Sequence, residues 1–208
     1  MALLRVKHSF SRQHLATAQH FAARALELEV AELGAANPDP AAQRPYVTGA
    51  IVFAIAALES SINELFLEAA DRNPHSMGGL PDPVLGRIEA LWPSLEMQPM
   101  LKKYQAAVAL ADKHPIDPGD ALIADLTSLV KLRDALLHFK PEWDDEAEVH
   151  EQLRRRLTGR FPNNPLAAPG SLWFPHLCLS SGCAHWAVHL AKSFSTRFIS
   201  TLGVPERL

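Results

Sequence analysis

The chain is short of most features that mark a specialised surface or compartment. Two cysteines in 208 residues, Cys178 and Cys183, show no CxxC spacing, so no disulfide framework is expected and a reducing compartment suits the protein. Aromatic residues make up only 7% while apolar residues reach 48% with abundant alanine, a balance that favours packed helices over sheets. A net charge of −3 and a pI near 6.4 exclude a generally basic coat for nucleic acid, so any such contact must come from a local patch. The longest uninterrupted apolar run, 50–58, stops at Glu59, far short of the roughly 20 residues of a membrane span. The first residues lack the apolar core of a signal peptide, and the expectation is a soluble, cytoplasmic protein with no membrane partner. No phosphate-binding GxGxxG, Walker A or GxSxG nucleophile motif is present.

What is there is helical periodicity. A first helix is expected from Ser11, its N-cap, to Leu33, ahead of Gly34 and a proline-containing loop. A second runs from Pro45 to about Arg72, with Ile51, Ile55, Leu58, Ile62 and Leu65 on one stripe. Asn73-Pro74 and Gly78-Gly79 break the chain, and shorter helices follow at about 83–92 and 97–112. Another covers about 119–139. Asp144 caps a polar helix reaching about 158, and a last helix spans about 180–202 before Gly203. The length suits one domain over 1–208, an all-α bundle of about six or seven helices.

The stretch richest in chemistry is Leu132-Arg133-Asp134-Ala135-Leu136-Leu137-His138-Phe139-Lys140-Pro141. Pro141 cannot continue a helix and biases Lys140 away from helical angles, which puts His138 in or just before the last turn. At about 100° per residue, Asp134 and His138 lie about 40° apart, while Arg133 is about 140° round from His138. Leu132, Leu136 and Phe139 point to a helix that touches the core. Without context, the plain alternative is a surface Asp–His pair beside an arginine in an ordinary ion pair.

This pattern resembles the HEPN superfamily (higher eukaryotes and prokaryotes nucleotide-binding domains). Its nuclease members carry Arg, four to six residues, then His, with a polar residue directly after the Arg. The upstream stretch Ala57-Leu58-Glu59-Ser60-Ser61-Ile62-Asn63-Glu64-Leu65-Phe66 is similar to a long helix of bacterial members, and the resemblance covers 45–202. It implies a HEPN-like bundle and a metal-independent endoribonuclease, acting as a homodimer whose copies meet to combine Arg133 and His138. It implies that an RNA 2′-OH attacks its neighbouring phosphate, leaving 2′,3′-cyclic phosphate ends. His138 would move a proton, Arg133 would stabilise the phosphate charge, and Asp134 would orient His138 or position Arg133. Such an activity suggests a toxin or phage-defence effector checked by an antitoxin or sensor protein, with no cofactor. A catalytically silent bundle that binds a nucleotide or a protein partner is the alternative.

Other residues have two readings each. Glu59 and Asn63, four apart, can form a helix–helix hydrogen-bond network, or Glu59 can supply the acidic support for Arg133 that the resemblance implies. Arg154, Arg155 and Arg156 can be a solvated face; as the densest basic cluster they are also the best candidates, with Lys140, to meet RNA phosphates. His185 and His189 share a face near Cys178 and Cys183, but no zinc spacing is matched and no metal is expected.

Overall fold

The computed structural model describes residues 7–114, 117, 119–140, 150–206 and 208, and among them every regular element is helical. Eight α-helices follow in order: α1 (Ser11–Glu32), α2 (Arg44–Ala70), α3 (Pro74–Met77), α4 (Asp82–Leu95), α5 (Met100–Leu110), α6 (Ala121–Leu137), α7 (Glu151–Leu157) and α8 (Ser181–Leu202). A π-type turn occupies Trp173–Leu177. The all-α class is as expected, with more elements than expected. The additions are short. Asn73-Pro74, expected only to break the chain, starts α3: the Asn73 side chain accepts the His75 N–H at 3.0 Å, with proline at the first helical position. Asp144 and the acidic residues after it lie outside the described residues, as does Pro141; the helix of that region is described from Glu151.

The chain divides into two compact units. The first comprises Met1–His14, Ala56–Ile116 and Ser195–Leu208. Its core sets Leu58, Ile62, Leu65 and Phe66 of α2 with Ile88, Tyr104, Val108 and Phe198, all nearly or fully buried. Tyr104 donates to the Leu58 carbonyl at 2.8 Å and meets the Phe198 ring edge-on at 4.6 Å, while α4 packs against α5. Ser11 is the first residue of α1 rather than its cap. A carboxylate from α2 holds this helix start: Glu64 accepts the backbone N–H groups of Phe10 and Ser11 at 2.9 and 3.0 Å and the Ser11 hydroxyl at 2.6 Å. Burial pushes the Glu64 carboxyl up, but these donors and Ser9 together hold it below its ordinary value.

The second unit comprises Leu15–Ile55 and Asp117–Phe194. Along α1, Leu15, Ala18, Ala22 and Ala25 are buried at three- and four-residue spacing. Close approach to α2 is permitted by Gly49, where a Cβ would run into the Phe21 ring. Ion pairing of Arg160 with Asp125 at 2.8 Å supports the packing of α6 with α7. A buried polar network closes the unit. Glu29 accepts the Ser181 N–H and hydroxyl, each at 2.8 Å, and the Gln43 amide; Asn164 donates to Gln43 at 3.0 Å and to the Leu179 carbonyl at 2.8 Å. Glu29 thus does for α8 what Glu64 does for α1. Among the described residues α2 alone is long and apolar enough to cross a membrane, with a mean hydropathy of 1.7 in its most apolar window. More than half of that window, 56%, is buried within the protein, as in the core helix of a globular fold.

Candidate active site at the end of the sixth helix

The helix that carries the motif is well specified. Asp120 caps it by accepting the Leu122 N–H at 2.8 Å, and Ile123, Leu126, Leu129 and Leu132 bury its apolar stripe. This anchoring directs the last turn outward. His138 is the C-cap, at φ −110° and ψ 25°, with its backbone N–H on the Asp134 carbonyl at 2.9 Å and its side chain exposed. Leu137 and Phe139 on either side are 52% and 47% exposed, so Phe139 is not the core residue its pattern suggested. Lys140 is exposed beyond them.

Arg133 and His138 differ in setting. The Arg133 side chain is only 21% exposed and its Nε lies 3.0 Å from an Asp134 carboxylate oxygen. Asp134 therefore meets Arg133 through its side chain and His138 through its backbone.

Phe139 connects the motif to a cleft that its sequence neighbourhood did not reveal. Its ring lies 6.0 Å from that of Phe174, and Phe174 in turn lies 4.3 Å from the imidazole of His150. Phe174 and His150 line a cleft of about 180 Å³ together with Glu151, Arg154, Ser171, Leu172 and Trp173. A second cleft, of about 290 Å³, is lined by Arg154 and Trp173 again, and by Phe161, Asn163 and Leu177 among others. The only sequence signal for these walls is an aromatic pair, Trp173-Phe174, in a stretch rich in proline and glycine. Of the three arginines of α7, Arg154 reaches both clefts. Arg155 pairs with Glu151 at 3.1 Å, and Arg156 is exposed.

Glu59 and Asn63 belong to the first unit. There Asn63 accepts from the Lys103 ammonium at 2.8 Å, and that ammonium stands 5.3 Å from the Trp92 ring centre. Burial lowers the Lys103 pKa, and the Glu59 and Glu96 carboxylates pull it back up. For Asn63, the helix–helix network is what the unit contains. Glu59, Asn63, Glu96, Met97 and Lys103 also line an open cleft of about 350 Å³.

No group of three or more His, Cys, Asp or Glu side chains is placed to hold a metal among the described residues. Cys178 and Cys183 are buried, and burial drives both thiols well above their ordinary pKa, which makes them poor nucleophiles. No family model, curated protein or solved structure matches the chain.

Proposed function

We propose that the protein is a metal-independent endoribonuclease of the HEPN type, a toxin or phage-defence effector that works as a homodimer. The observation that carries this reading is the exposed His138 imidazole at the capped end of α6, next to Phe139, whose ring packs against Phe174 of a cleft that also holds Arg154. Imidazole can both accept and donate a proton, which suits it to move protons in acid–base steps. One imidazole takes the 2′-OH proton as that oxygen attacks phosphorus. The P–O5′ bond breaks, and the departing 5′ oxygen takes a proton from a second imidazole. The products are a 2′,3′-cyclic phosphate and a 5′-OH. Two proton carriers and a guanidinium on both sides of one phosphate require more than one copy of α6. The exposed Leu137 and Phe139 give a second copy an apolar surface beside His138.

The test is cleavage of RNA by purified protein in EDTA, with the ends analysed. Cyclic-phosphate ends, lost in His138→Ala, are the expected result; 3′-OH ends, or an absolute need for magnesium, would overturn the mechanism. Light scattering should give a dimer, and a stable mass near 23 kDa would count against the composite site. One observation favours the silent alternative, a bundle that binds a nucleotide or a protein partner: Arg133 is mostly buried and engaged by Asp134. That reading expects no cleavage from any variant or from the wild type.

A further inference from the structure

We propose that the two clefts sharing Arg154 and Trp173 form a track for two successive nucleotides of single-stranded RNA, an inference that rests on the ribonuclease reading above. Clefts of about 180 and 290 Å³ are each of a size to take one nucleobase, and Trp173 lines both. His150 and the nearly buried Phe174 also line the first cleft, and Phe161 lines the second. Phe161 is itself backed by Trp186, with ring centres 5.4 Å apart. Flat rings in adjoining recesses are what splayed, unpaired bases stack upon, and every base has a face to offer them. A paired duplex keeps its bases stacked inside and cannot use such recesses.

The charge is placed to match. Arg154 is common to both clefts, where the phosphate joining two nucleotides would pass, and its side chain is 56% exposed. Glu151 lines only the first cleft, where its carboxylate pairs with Arg155 at 3.1 Å and with Arg154 at 3.7 Å, so a phosphate would compete with Glu151 for Arg154. The track is also connected to the motif. Phe174 of the first cleft is the ring that Phe139 packs against, which ties that cleft to the residue following His138.

The test uses a short RNA with every 2′-OH methylated, which cannot be cleaved by attack of that oxygen. Its binding is followed by fluorescence anisotropy over a range of salt concentrations. The wild type and His138→Ala should bind the single strand alike and the matching duplex much more weakly. Trp173→Ala should weaken single-strand binding about 10-fold or more. Arg154→Ala should weaken it and reduce the slope of log affinity against log salt by about 0.7, while Arg156→Ala should leave the slope within error. Should Trp173→Ala fail to fold, Arg154→Ala against Arg156→Ala decides alone. Equal binding of duplex and single strand, or an unchanged salt slope in Arg154→Ala, would overturn the track. Binding as expected without RNA cleavage would leave the track standing and remove the nuclease. Cleavage that Arg154→Ala leaves unchanged in both kcat and KM would do the reverse.

Discussion

Two polar clusters of this molecule use similar residues for opposite ends. In the first unit, Asn63 and Lys103 hold each other at 2.8 Å, and Lys103 is 7% exposed. In the second, Arg133 is held by Asp134, but the imidazole five residues on is left in solvent. A buried ammonium must keep its partners, because losing one leaves a charge away from water. An exposed imidazole has no such debt and can change protonation during a reaction. The first arrangement is committed to structure; the second leaves its imidazole open to solvent. A cluster's degree of exposure thus says more about its role than the residue types it contains.

The sharpest way to break the comparison is to remove His138. His138→Ala should lower RNA cleavage by about 10²-fold or more and leave the melting temperature almost unchanged, since the side chain is exposed. Cleavage assays and thermal melts on the same preparation check both halves. Arg133→Ala should fall comparably in activity, as expected for a donor aimed at developing phosphate charge. In contrast to His138, it should also lose some stability because most of its side chain is buried.

Asn63→Ala tests the other side. It should destabilise the fold by about 2–3 kcal/mol in urea titrations, because the Lys103 ammonium keeps its burial and loses its acceptor. Cleavage per folded molecule should not change. The double variant Asn63→Ala with Lys103→Met should recover part of the loss, since an apolar pair needs no partner.

A smaller, pH-dependent effect belongs to Glu64. Its carboxyl is held below the ordinary value, so the folded state favours the ionised form. The stability this confers is fully present above the unfolded value of about 4.3 and is lost as pH falls through the lower folded value. The melting gap between wild type and Glu64→Gln should therefore be widest near neutral pH and narrow in acid. The smallest effect is expected for Arg155→Ala. Arg155 is well exposed and its partner is the half-buried i−4 residue Glu151, so the change in stability should stay within about 0.5 kcal/mol.

Much of the fold was legible because its helices are specified locally. The stripe along α2 and the end of α6 at His138 follow from neighbours within one or two turns of helix, whereas the Asp120 cap sets the start of α6 two residues later than expected. The failures have a common cause. Ser11 looked like an N-cap, yet its backbone and hydroxyl are claimed by Glu64, 53 residues away. Phe139 looked like core, yet it rests half-exposed on Phe174. The clefts were invisible because Trp173, Phe161 and Arg154 come from three segments with no shared period. Periodicity reports which face of an element is buried, and it is silent about which distant side chain arrives there.

The caps supplied from afar also bear on how the protein comes into being. The acceptor that completes the start of α8 is Glu29, separated from Ser181 by 152 positions. During synthesis that carboxylate leaves the ribosome long before its donors exist, with an interval on the order of ten seconds at ordinary elongation rates. Over that time the second unit cannot close its polar network, and its apolar α1 stripe has to wait. A chaperone that shields the early helices, or a slowed ribosome between these two points, would act on this protein at that step.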